Sequence, residues 1–489
     1  MFDHKSRTVN DLKNTDGKFK HFYNRELTRR RLLSAGVAVS VAGMLPSAGA
    51  AKQRKTRPNI VYIIADDLGV YDLGCYGQTK IETPHIDRLA VEGTRFAAAY
   101  GGAPICSPSR CALMTGRHMG HASVRDNFAL AGGVLGFKGT EHIRRANIAN
   151  GEPTVASLVQ QVGYATGLVG KWHLDGYSPE AVPTNHGFEE FHGWLTQTET
   201  TQGYFPTQWY KNTLLQDISG NRDGQKRVYE TDICTRQACE FISDHQHEPF
   251  FLVVAYNAPH SPYMASSLRQ YASKDWGLSE KTYAAMISDL DDGIGAIMQT
   301  LKKLEIDEKT IVFFSSDHGP RSEPTSEQTE VVSFFNSKGP LRGFKRDLYE
   351  GGIRVPLIVR WPEKIKSGYV DERPVYHADF LPTAVSLAEG HVPSFIDGAD
   401  IFSTVSLGGL KEDRWLYWET YEPSFWQAIR WKQWKAVRPV GKDRVELYDL
   451  SSDKGEVRDV SIEYSHISSY LKKLMQHAHV SNREYPIPI

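Results

Sequence analysis

Four apolar runs rich in β-branched residues lie along the first two thirds of the chain, and each ends in polar residues that can do chemistry. The runs and the polar residues that follow them are 59–65 with Asp66 and Asp67, 164–169 with Lys171 and His173, 249–255 with His260, and 310–316 with Asp317 and His318. Continuous apolar runs are typical of strands buried on both faces of a mostly parallel sheet. Because ligands gather at the carboxyl ends of such strands, we expect these polar residues to share one edge of the sheet.

Two further patterns complete the predicted architecture. A stripe of apolar residues at three- and four-residue steps predicts a helix with one face in the core: Met286, Leu290, Ile294, Ile297, Leu301 and Leu304. We assign its acidic neighbours Asp289, Asp291 and Asp292 to the solvated face. The pattern changes near residue 390, and residues 415–450 predict a small antiparallel sheet closed by a helix over 466–477. The chain is thus predicted to be an α/β protein with a large domain over 58–390 and a smaller α+β C-terminal subdomain over 391–489.

The composition fits a soluble globular protein, with 489 residues of which 40% are hydrophobic and 24% charged. Nine of the 57 Lys and Arg residues lie within residues 1–31, so the rest of the chain is net acidic. This balance predicts no nucleic-acid-binding surface. Five cysteines are present without a C-x-x-C pair, so neither a disulfide framework nor a cysteine metal site is predicted: Cys75, Cys106, Cys111, Cys234 and Cys239.

Residues 1–51 have the order of a cleavable export signal. Three arginines at 29–31 precede the uncharged apolar stretch 32–45, and small residues follow at 48–50. The arginine run resembles a twin-arginine signal, which carries folded proteins across a bacterial inner membrane. We therefore predict a periplasmic or extracellular protein with no stable membrane span in its mature form. A single membrane anchor or a Sec signal with extra charge are the alternatives.

The segment from Cys106 to Arg110, C-S-P-S-R, is followed by T-G-R at 115–117. It resembles the signature of the type I, formylglycine-dependent sulfatases of the alkaline phosphatase-like superfamily, and the resemblance extends over residues 58–459. It implies a three-layer α/β/α catalytic domain in which a separate maturation enzyme oxidises Cys106 to formylglycine. An unmodified thiol or hydroxyl needs activation, whereas a hydrated aldehyde offers one hydroxyl to attack sulfur and a second to expel sulfate afterwards. A buried structural Cys106 beside a salt-bridging Arg110 is the alternative.

Three carboxylates from two predicted strand ends, Asp66, Asp67 and Asp317, suit a hard cation such as Ca²⁺ or, with tighter geometry, Mg²⁺. The resemblance implies one Ca²⁺ held by these residues together with His318 and modified Cys106. Many family members carry Asn at the position of His318, so two roles are open for this residue. It can be a weak metal ligand, or it can hydrogen-bond the attacking hydroxyl. The structural alternative is that Asp66 and Asp67 cap a helix beginning at Leu68.

The same resemblance implies roles for the remaining polar residues. Arg110, in a helix predicted to begin near Ser109, holds the oxyanion, and Lys171 pairs with the formylglycine oxygen and the sulfate. His173 removes a proton during sulfate elimination, His260 protonates the departing alcohol, and Lys345 binds sulfate oxygens. We also expect three residues after the signature to line the substrate mouth: His121, Arg125 and Asn127.

The predicted reaction is hydrolysis of an O-sulfate ester to an alcohol and inorganic sulfate through a covalent sulfo-formylglycine. A sulfated carbohydrate is the expected substrate, with an aryl sulfate as the simpler one. Two alternatives remain at this point. One is a formylglycine-dependent phosphodiesterase or phosphonate hydrolase of the same superfamily. The other is an exported protein that binds sulfated glycans without catalysis.

Overall fold

The computed structural model describes residues 57–487 except 139–140, 176–177, 197–202, 323–325, 363, 403–413, 423 and 440–443. The predicted export signal, residues 1–51, lies outside the described residues. Residues 56–489 fold as one compact unit, and the proposed domain boundary at residue 390 stays a prediction. No helix among the described residues combines the length and apolar character needed to cross a bilayer.

The described strands are β1 (Asn59–Ala65), β2 (Thr94–Phe96), β3 (Ala99–Tyr100), β4 (Val134–Lys138), β5 (Glu141–Arg145), β6 (Ala165–Lys171), β7 (Glu190–Trp194), β8 (Gln208–Lys211), β9 (Leu214–Asp217), β10 (Phe250–Ala255), β11 (Thr310–Ser316), β12 (Leu357–Arg360), β13 (Tyr369–Asp371), β14 (Val375–Tyr376), β15 (Trp415–Thr420), β16 (Trp426–Trp431), β17 (Trp434–Arg438) and β18 (Glu446–Asp449). The described α-helices are α1 (Pro84–Glu92), α2 (Cys106–Thr115), α3 (Val155–Gln161), α4 (Glu230–Asp244), α5 (Leu278–Lys303), α6 (Glu327–Phe335), α7 (Glu350–Ile353), α8 (Phe380–Leu387) and α9 (Ser465–Ala478).

A ten-stranded sheet in the order β13-β2-β12-β11-β1-β10-β6-β7-β8-β9 forms the centre of the fold. Its middle strands β11, β1, β10, β6 and β7 are parallel, and antiparallel strands lie towards both edges. The four apolar runs of the sequence are β1, β6, β10 and β11, and every residue of these strands is buried. The predicted parallel sheet, buried on both faces, is confirmed.

Successive side chains of β1 enter two separate cores, because side chains alternate across a strand. Ile60, Tyr62 and Ile64 pack in a cluster with residues of α2, α3 and α8. Val61, Ile63 and Ala65 pack on the other face with residues of α1, α4 and α5. Helices therefore cover both faces of the sheet, as expected for the three-layer α/β/α fold.

Five of the six residues of the predicted apolar stripe are buried along α5, and Leu304 is half-buried just after its end. Two of the three acidic residues were assigned wrongly to the solvated face. Asp289 is half-buried and pairs with Arg269 at 2.8 Å.

Asp291 is 1% exposed, and its carboxylate accepts backbone N–H groups of His85 at 3.0 Å and Ile86 at 2.7 Å. These donors lie in the first turn of α1, where backbone N–H groups have no partner within the helix. Asp291 therefore caps α1 from a neighbouring helix, whereas Asp292 is exposed as predicted.

The C-terminal residues form the predicted antiparallel sheet, β15-β16-β17-β18, with α9 packed against it. A buried ionic cluster joins this sheet to α7. Lys435 of β17 lies 3.0 Å from Glu350 of α7 and 2.8 Å from Glu456, and all three side chains are fully buried. Burial alone would raise the pKa of Glu350, but the charges of Lys435 and Arg354 hold it well below its ordinary value.

Replacing Lys435 with methionine is expected to lower the free energy of unfolding by about 3–5 kcal/mol, because it removes the cation bonded to Glu456 and leaves Glu350 paired with Arg354. Urea unfolding followed by fluorescence measures the change. Lys432→Met, at an exposed position beside β17, is the matched control and should leave stability nearly unchanged. A loss from Lys435→Met no larger than that of the control would show that the cluster contributes nothing to stability.

The buried carboxyl of Glu230 is expected to make the stability of the fold depend on pH. Glu230 begins α4 and is 1% exposed, and burial raises its pKa to about 7. Between about pH 4.5 and 7 the folded protein keeps a proton on Glu230 that the unfolded chain releases, so this group's contribution to stability falls as pH rises. The side chain of Glu230→Gln does not titrate, so this variant should escape the loss. The free energy of unfolding of Glu230→Gln minus that of native protein should therefore be about 1–3 kcal/mol larger at pH 8 than at pH 4.

Thermal melting of both proteins across this pH range checks that difference. Glu240→Gln, on an exposed part of the same helix, should follow the native curve. If the melting temperatures of native protein and Glu230→Gln change with pH in parallel, Glu230 is ionised in the folded protein.

Candidate active site

The polar residues that follow the four central strands meet at one edge of the sheet, as predicted. Strand register aligns Ala65 of β1 with Ser316 of β11, and Ile64 of β1 with Ala255 of β10. The next residues along these strands include Asp66 and Asp317, which are both fully buried. Parallel strands therefore bring Asp66 and Asp317, 251 positions apart in the sequence, to the same level.

Cys106 is the first residue of α2, which starts three residues earlier than the predicted start near Ser109. Its side chain is 1% exposed, and every residue of α2 is buried. Residue 106 thus lies within the first turn, where free backbone N–H groups and the helix dipole favour negative charge. In the modified residue, the position of the sulfur would be taken by the hydroxyl oxygens of the hydrated aldehyde.

Three polar side chains surround the sulfur of Cys106. His318 Nε2 lies 3.2 Å away, Lys345 Nζ 3.5 Å away and Asp66 Oδ1 3.6 Å away. The lysine supplies positive charge, and the histidine can supply a proton. The surroundings of residue 106 therefore suit an oxygen that gains negative charge during a reaction.

Lysine and arginine side chains pair with the carboxylates next to Cys106. Lys345 Nζ lies 2.5 Å from Asp67 Oδ1, and Lys171 Nζ is bonded to Asp66 Oδ2. Arg110 reaches Asp317 at 3.2 Å and Asp66 at 3.3 Å, and its NH1 donates to the backbone oxygen of Lys171 at 2.9 Å. Burial alone would raise the pKa of Asp66, but Lys171 and the other nearby cations hold it well below its ordinary value. The Asp66 carboxylate is therefore ionised at neutral pH.

One group of side chains fits a metal ion. Ligand atoms of Asp66, Asp67, Cys106 and His318 all lie within 4.8 Å of one another. Asp67 Oδ2 is buried and has no hydrogen-bond partner among the described residues, so one carboxylate oxygen is left to serve a cation. Oxygen donors of this kind are the ligands of hard divalent ions. Asp317 lies beside the group, with its Oδ1 accepting the Asp67 backbone N–H at 3.3 Å.

The alternative role of Asp66 and Asp67 as helix caps is wrong, because the first helical turn after them begins at Val70 with Gly69 as its N-cap. Asp67 instead occupies a left-handed turn at φ 67°, a conformation that Asp tolerates better than most residues. The turn places its carboxylate against Lys345 and His318.

Two histidines of the site differ in charge state. Burial lowers the pKa of His318, but Asp317 and Cys106 outweigh burial and raise it to about 9. A metal ion in the group would compete with that proton for Nε2. His260 Nδ1 donates to the backbone oxygen of Ser261 at 2.6 Å, and its Nε2 faces Asp67 Oδ2 at 3.5 Å. Burial lowers the pKa of His260 to about 4, so its neutral form prevails at neutral pH.

His173 lies in the same site but has a neighbour that the sequence did not point to. Ser107 Oγ donates to the backbone oxygen of His173 at 2.9 Å, which joins its loop to the start of α2. Arg145, the last residue of β5, places NH1 2.9 Å from His173 Nε2. No motif surrounds Arg145, so only the folded structure shows this contact.

The three residues expected to line the entrance of the substrate pocket differ in burial and in partners. Arg125 was assigned wrongly: it is 2% exposed and pairs with Glu419 of β15 at 2.9 Å. His121 is half-buried and pairs with Asp397 at 2.9 Å. Asn127 does lie beside the nucleophile position, because its Oδ1 accepts the backbone N–H of Ser107 at 3.1 Å.

Two family models match the chain. One is described as Sulfatase and spans residues 58–391, and the other is described as N-sulphoglucosamine sulphohydrolase, C-terminal, and spans residues 343–481. An N-acetylgalactosamine-6-O-sulfatase of Bacteroides thetaiotaomicron is 30% identical over 498 residues, which cover 87% of this chain and 93% of that protein. The N-acetylgalactosamine-6-sulfatase of Canis lupus familiaris is 33% identical over 432 residues, covering 82% of this chain and 74% of that protein.

Solved structures give the same picture of the fold. The crystal structure of Ps i-CgsB in complex with k-i-k-neocarrahexaose is similar to this chain with a TM-score of 0.74 and 28% sequence identity. The similarity covers 88% of this chain and 95% of that one.

Proposed function

The chain belongs to the sulfatase family of the alkaline phosphatase-like superfamily, and we propose that it hydrolyses O-sulfate esters of carbohydrates through a formylglycine formed from Cys106. The observation that carries the proposal is the set of side chains around residue 106. His318, Lys345 and Asp66 lie within 3.6 Å of its sulfur in a buried pocket. Neither the phosphonate hydrolase nor the binding-protein alternative is favoured by a sulfatase family match over most of the chain.

The metal of this proposal is one Ca²⁺ held by Asp66, Asp67, Asp317, His318 and the modified residue 106. The Asp67 oxygen without a hydrogen-bond partner and the ionised carboxylate of Asp66 support a hard cation there. When bound, such an ion would neutralise charge on the sulfuryl group and lower the pKa of a hydroxyl beside it.

The chain's own cations are proposed to hold the sulfate ester. Lys345 pairs with Asp67 and lies 3.5 Å from the sulfur of Cys106, and Lys171 pairs with the neighbouring Asp66, so both charges are placed to meet sulfate oxygens. Arg110 links Asp66 to Asp317 and so keeps both carboxylates in place beneath the ester. Charge that develops on the sulfuryl oxygens would thus meet preset positive groups in a buried site.

His260 is proposed to give a proton to the departing alcohol. Its Nδ1–H is fixed by the backbone oxygen of Ser261, so Nε2 is the nitrogen that exchanges a proton. An anionic ester placed next to the ring favours its protonated form, which opposes the effect of burial. The overall reaction consumes one water and yields the alcohol, sulfate and one proton.

A sulfated carbohydrate is the proposed substrate class. Both curated relatives described above carry the name of an N-acetylgalactosamine-6-sulfatase, and the solved relative was crystallised with a neocarrahexaose. Export by residues 1–51 and a division at residue 390 remain parts of the proposal. An exported enzyme would meet sulfated polymers outside the cell, after modification of Cys106 by a separate maturation enzyme.

The mass of the tryptic peptide Phe96–Arg110 tests the nucleophile, using protein made in its native host. Formylglycine at residue 106 means loss of two hydrogens and one sulfur and gain of one oxygen relative to cysteine. The same preparation is then assayed for sulfate release from sulfated galactosamine and from an aryl sulfate. An unmodified Cys106 in active protein would overturn the formylglycine proposal, and turnover of the aryl ester alone would overturn the carbohydrate proposal.

A further inference from the structure

The contact between Arg145 and His173 defines the protonation of the histidine. Arg145 NH1 lies 2.9 Å from His173 Nε2, and the two side chains belong to residues that are 6% and 3% exposed. The guanidinium also lies 5.3 Å from the ring centroid of Phe128, which packs against it. Strand, aromatic ring and burial together hold the arginine at the imidazole.

A guanidinium has five N–H donors, has no acceptor and keeps its proton at any pH that the protein survives. His173 Nε2 must therefore accept the hydrogen bond with its lone pair. The neutral imidazole then carries its single proton on Nδ1. Burial and the charges of Lys171 and Arg145 also hold the pKa of His173 well below its ordinary value, so the neutral ring is the form present.

The Nδ1–H of this tautomer is buried and has no hydrogen-bond partner among the described residues. A buried donor of this kind destabilises the fold when it is left unsatisfied. The backbone of His173 is bonded to Ser107, the neighbour of Cys106, and the charge of Lys171 acts on its ring. An acceptor oxygen of the reacting group would therefore complete the bonding of this ring.

We propose that Arg145 is a positioning residue that fixes His173 as the Nδ1–H tautomer, so that His173 donates a hydrogen bond to an oxygen of the reacting group. The identity of the oxygen that accepts this hydrogen bond rests on the proposed function, because formylglycine and sulfate both carry suitable oxygens. The assignment differs from the expected role of His173 as the base in sulfate elimination. In this tautomer the lone pair of Nε2 accepts from Arg145, so His173 takes up a proton during sulfate elimination only if Arg145 first moves away.

Nitrogen NMR of the full-length protein with ¹⁵N-labelled histidine tests the tautomer, with the His173 signals identified by their loss in His173→Gln. In native protein we expect a protonated Nδ1 and an unprotonated Nε2 throughout about pH 5 to 8. Arg145→Met should release Nε2, so that both tautomers appear and the ring titrates closer to its ordinary pKa. Arg145→Lys keeps a donor at this position and should restore the native tautomer.

Arg144→Met is the matched control, because Arg144 is the exposed neighbour in β5 and donates to the backbone oxygen of Gly132 instead. A proton on Nε2 of native His173, or a native-like tautomer in Arg145→Met, would overturn the proposal. If Arg145→Met does not fold, the native spectrum alone still decides between the two tautomers.

Kinetics of the modified enzyme separate positioning from simple support of the fold. Arg145→Met should lower kcat about 10- to 100-fold with a smaller change in KM, and its pH profile should gain an ionisation that the native profile lacks. An unchanged pH profile in Arg145→Met would contradict the proposal. If native protein cleaves no sulfate ester, the proposed function fails, while the ring-nitrogen measurement still decides the tautomer.

Discussion

Replacing Cys106 with alanine is expected to abolish sulfate release, lowering kcat/KM by about 10⁴-fold or more. The reason is that residue 106 is proposed as the nucleophile, and without it no atom of the protein attacks the sulfur of the ester. Lys345 and His318 lie 3.5 and 3.2 Å from the sulfur of Cys106, and no other nucleophile is proposed at this position. The measurement is sulfate released from a sulfated sugar by purified protein whose Cys106 modification has been verified by mass.

Cys111→Ala is the matched control for this variant. Cys111 lies in the same helix, is fully buried and has its sulfur 3.8 Å from Ser123 Oγ rather than near the carboxylates. Its loss should cost about 1 kcal/mol of stability and leave turnover close to native. Turnover by Cys106→Ala above about a hundredth of the native rate would place the nucleophile elsewhere.

Replacing Asp67 with asparagine is expected to lower kcat/KM by about a thousandfold and to remove stabilisation by added Ca²⁺. The substitution keeps the shape of the side chain but removes the charge that faces Lys345 at 2.5 Å and the unpartnered oxygen assigned to the metal. Removing one preset group that stabilises charge in an active site typically lowers kcat about 100- to 1,000-fold.

Titration calorimetry with Ca²⁺, after chelation, measures the binding, and melting with and without Ca²⁺ measures the stabilisation. Asp72→Asn serves as the control, because Asp72 is equally buried in the same segment but bonds Tyr283 at 2.8 Å and Gly69 at 2.9 Å. That variant should bind Ca²⁺ as native protein does. Native-like Ca²⁺ stabilisation of Asp67→Asn would show that the ion lies in a different site.

The central sheet could be predicted because its signal is local. Strands buried on both faces need apolar residues at every position, so β1, β6, β10 and β11 appear as continuous runs in the sequence. The polar residues that follow these strands then lie at the same edge of the sheet, because parallel strands run in one direction. The resemblance of the Cys106 segment to a known signature added the chemistry, since its residues occupy one turn of one helix.

The errors concern charged residues whose partners come from distant elements. Asp291 belongs by spacing to the outer face of α5, but the free N–H groups of α1 lie against that position. Arg125 follows the signature as a mouth residue would, but Glu419 of the C-terminal sheet holds it inside. Burial of a charge depends on the partner, and the partner's position is not encoded in the local sequence.

The sequence by itself therefore determined the fold class, the family signature and the residue types of the site. Only the tertiary structure decided how those residues are paired: Lys345 with Asp67, Arg110 with two carboxylates, and Arg145 with His173. The physical reason is that apolar patterning follows the repeat of each element, whereas ion pairs and tautomers depend on distances of a few ångströms between elements. Those distances are set when the sheet, α2 and the C-terminal sheet pack together.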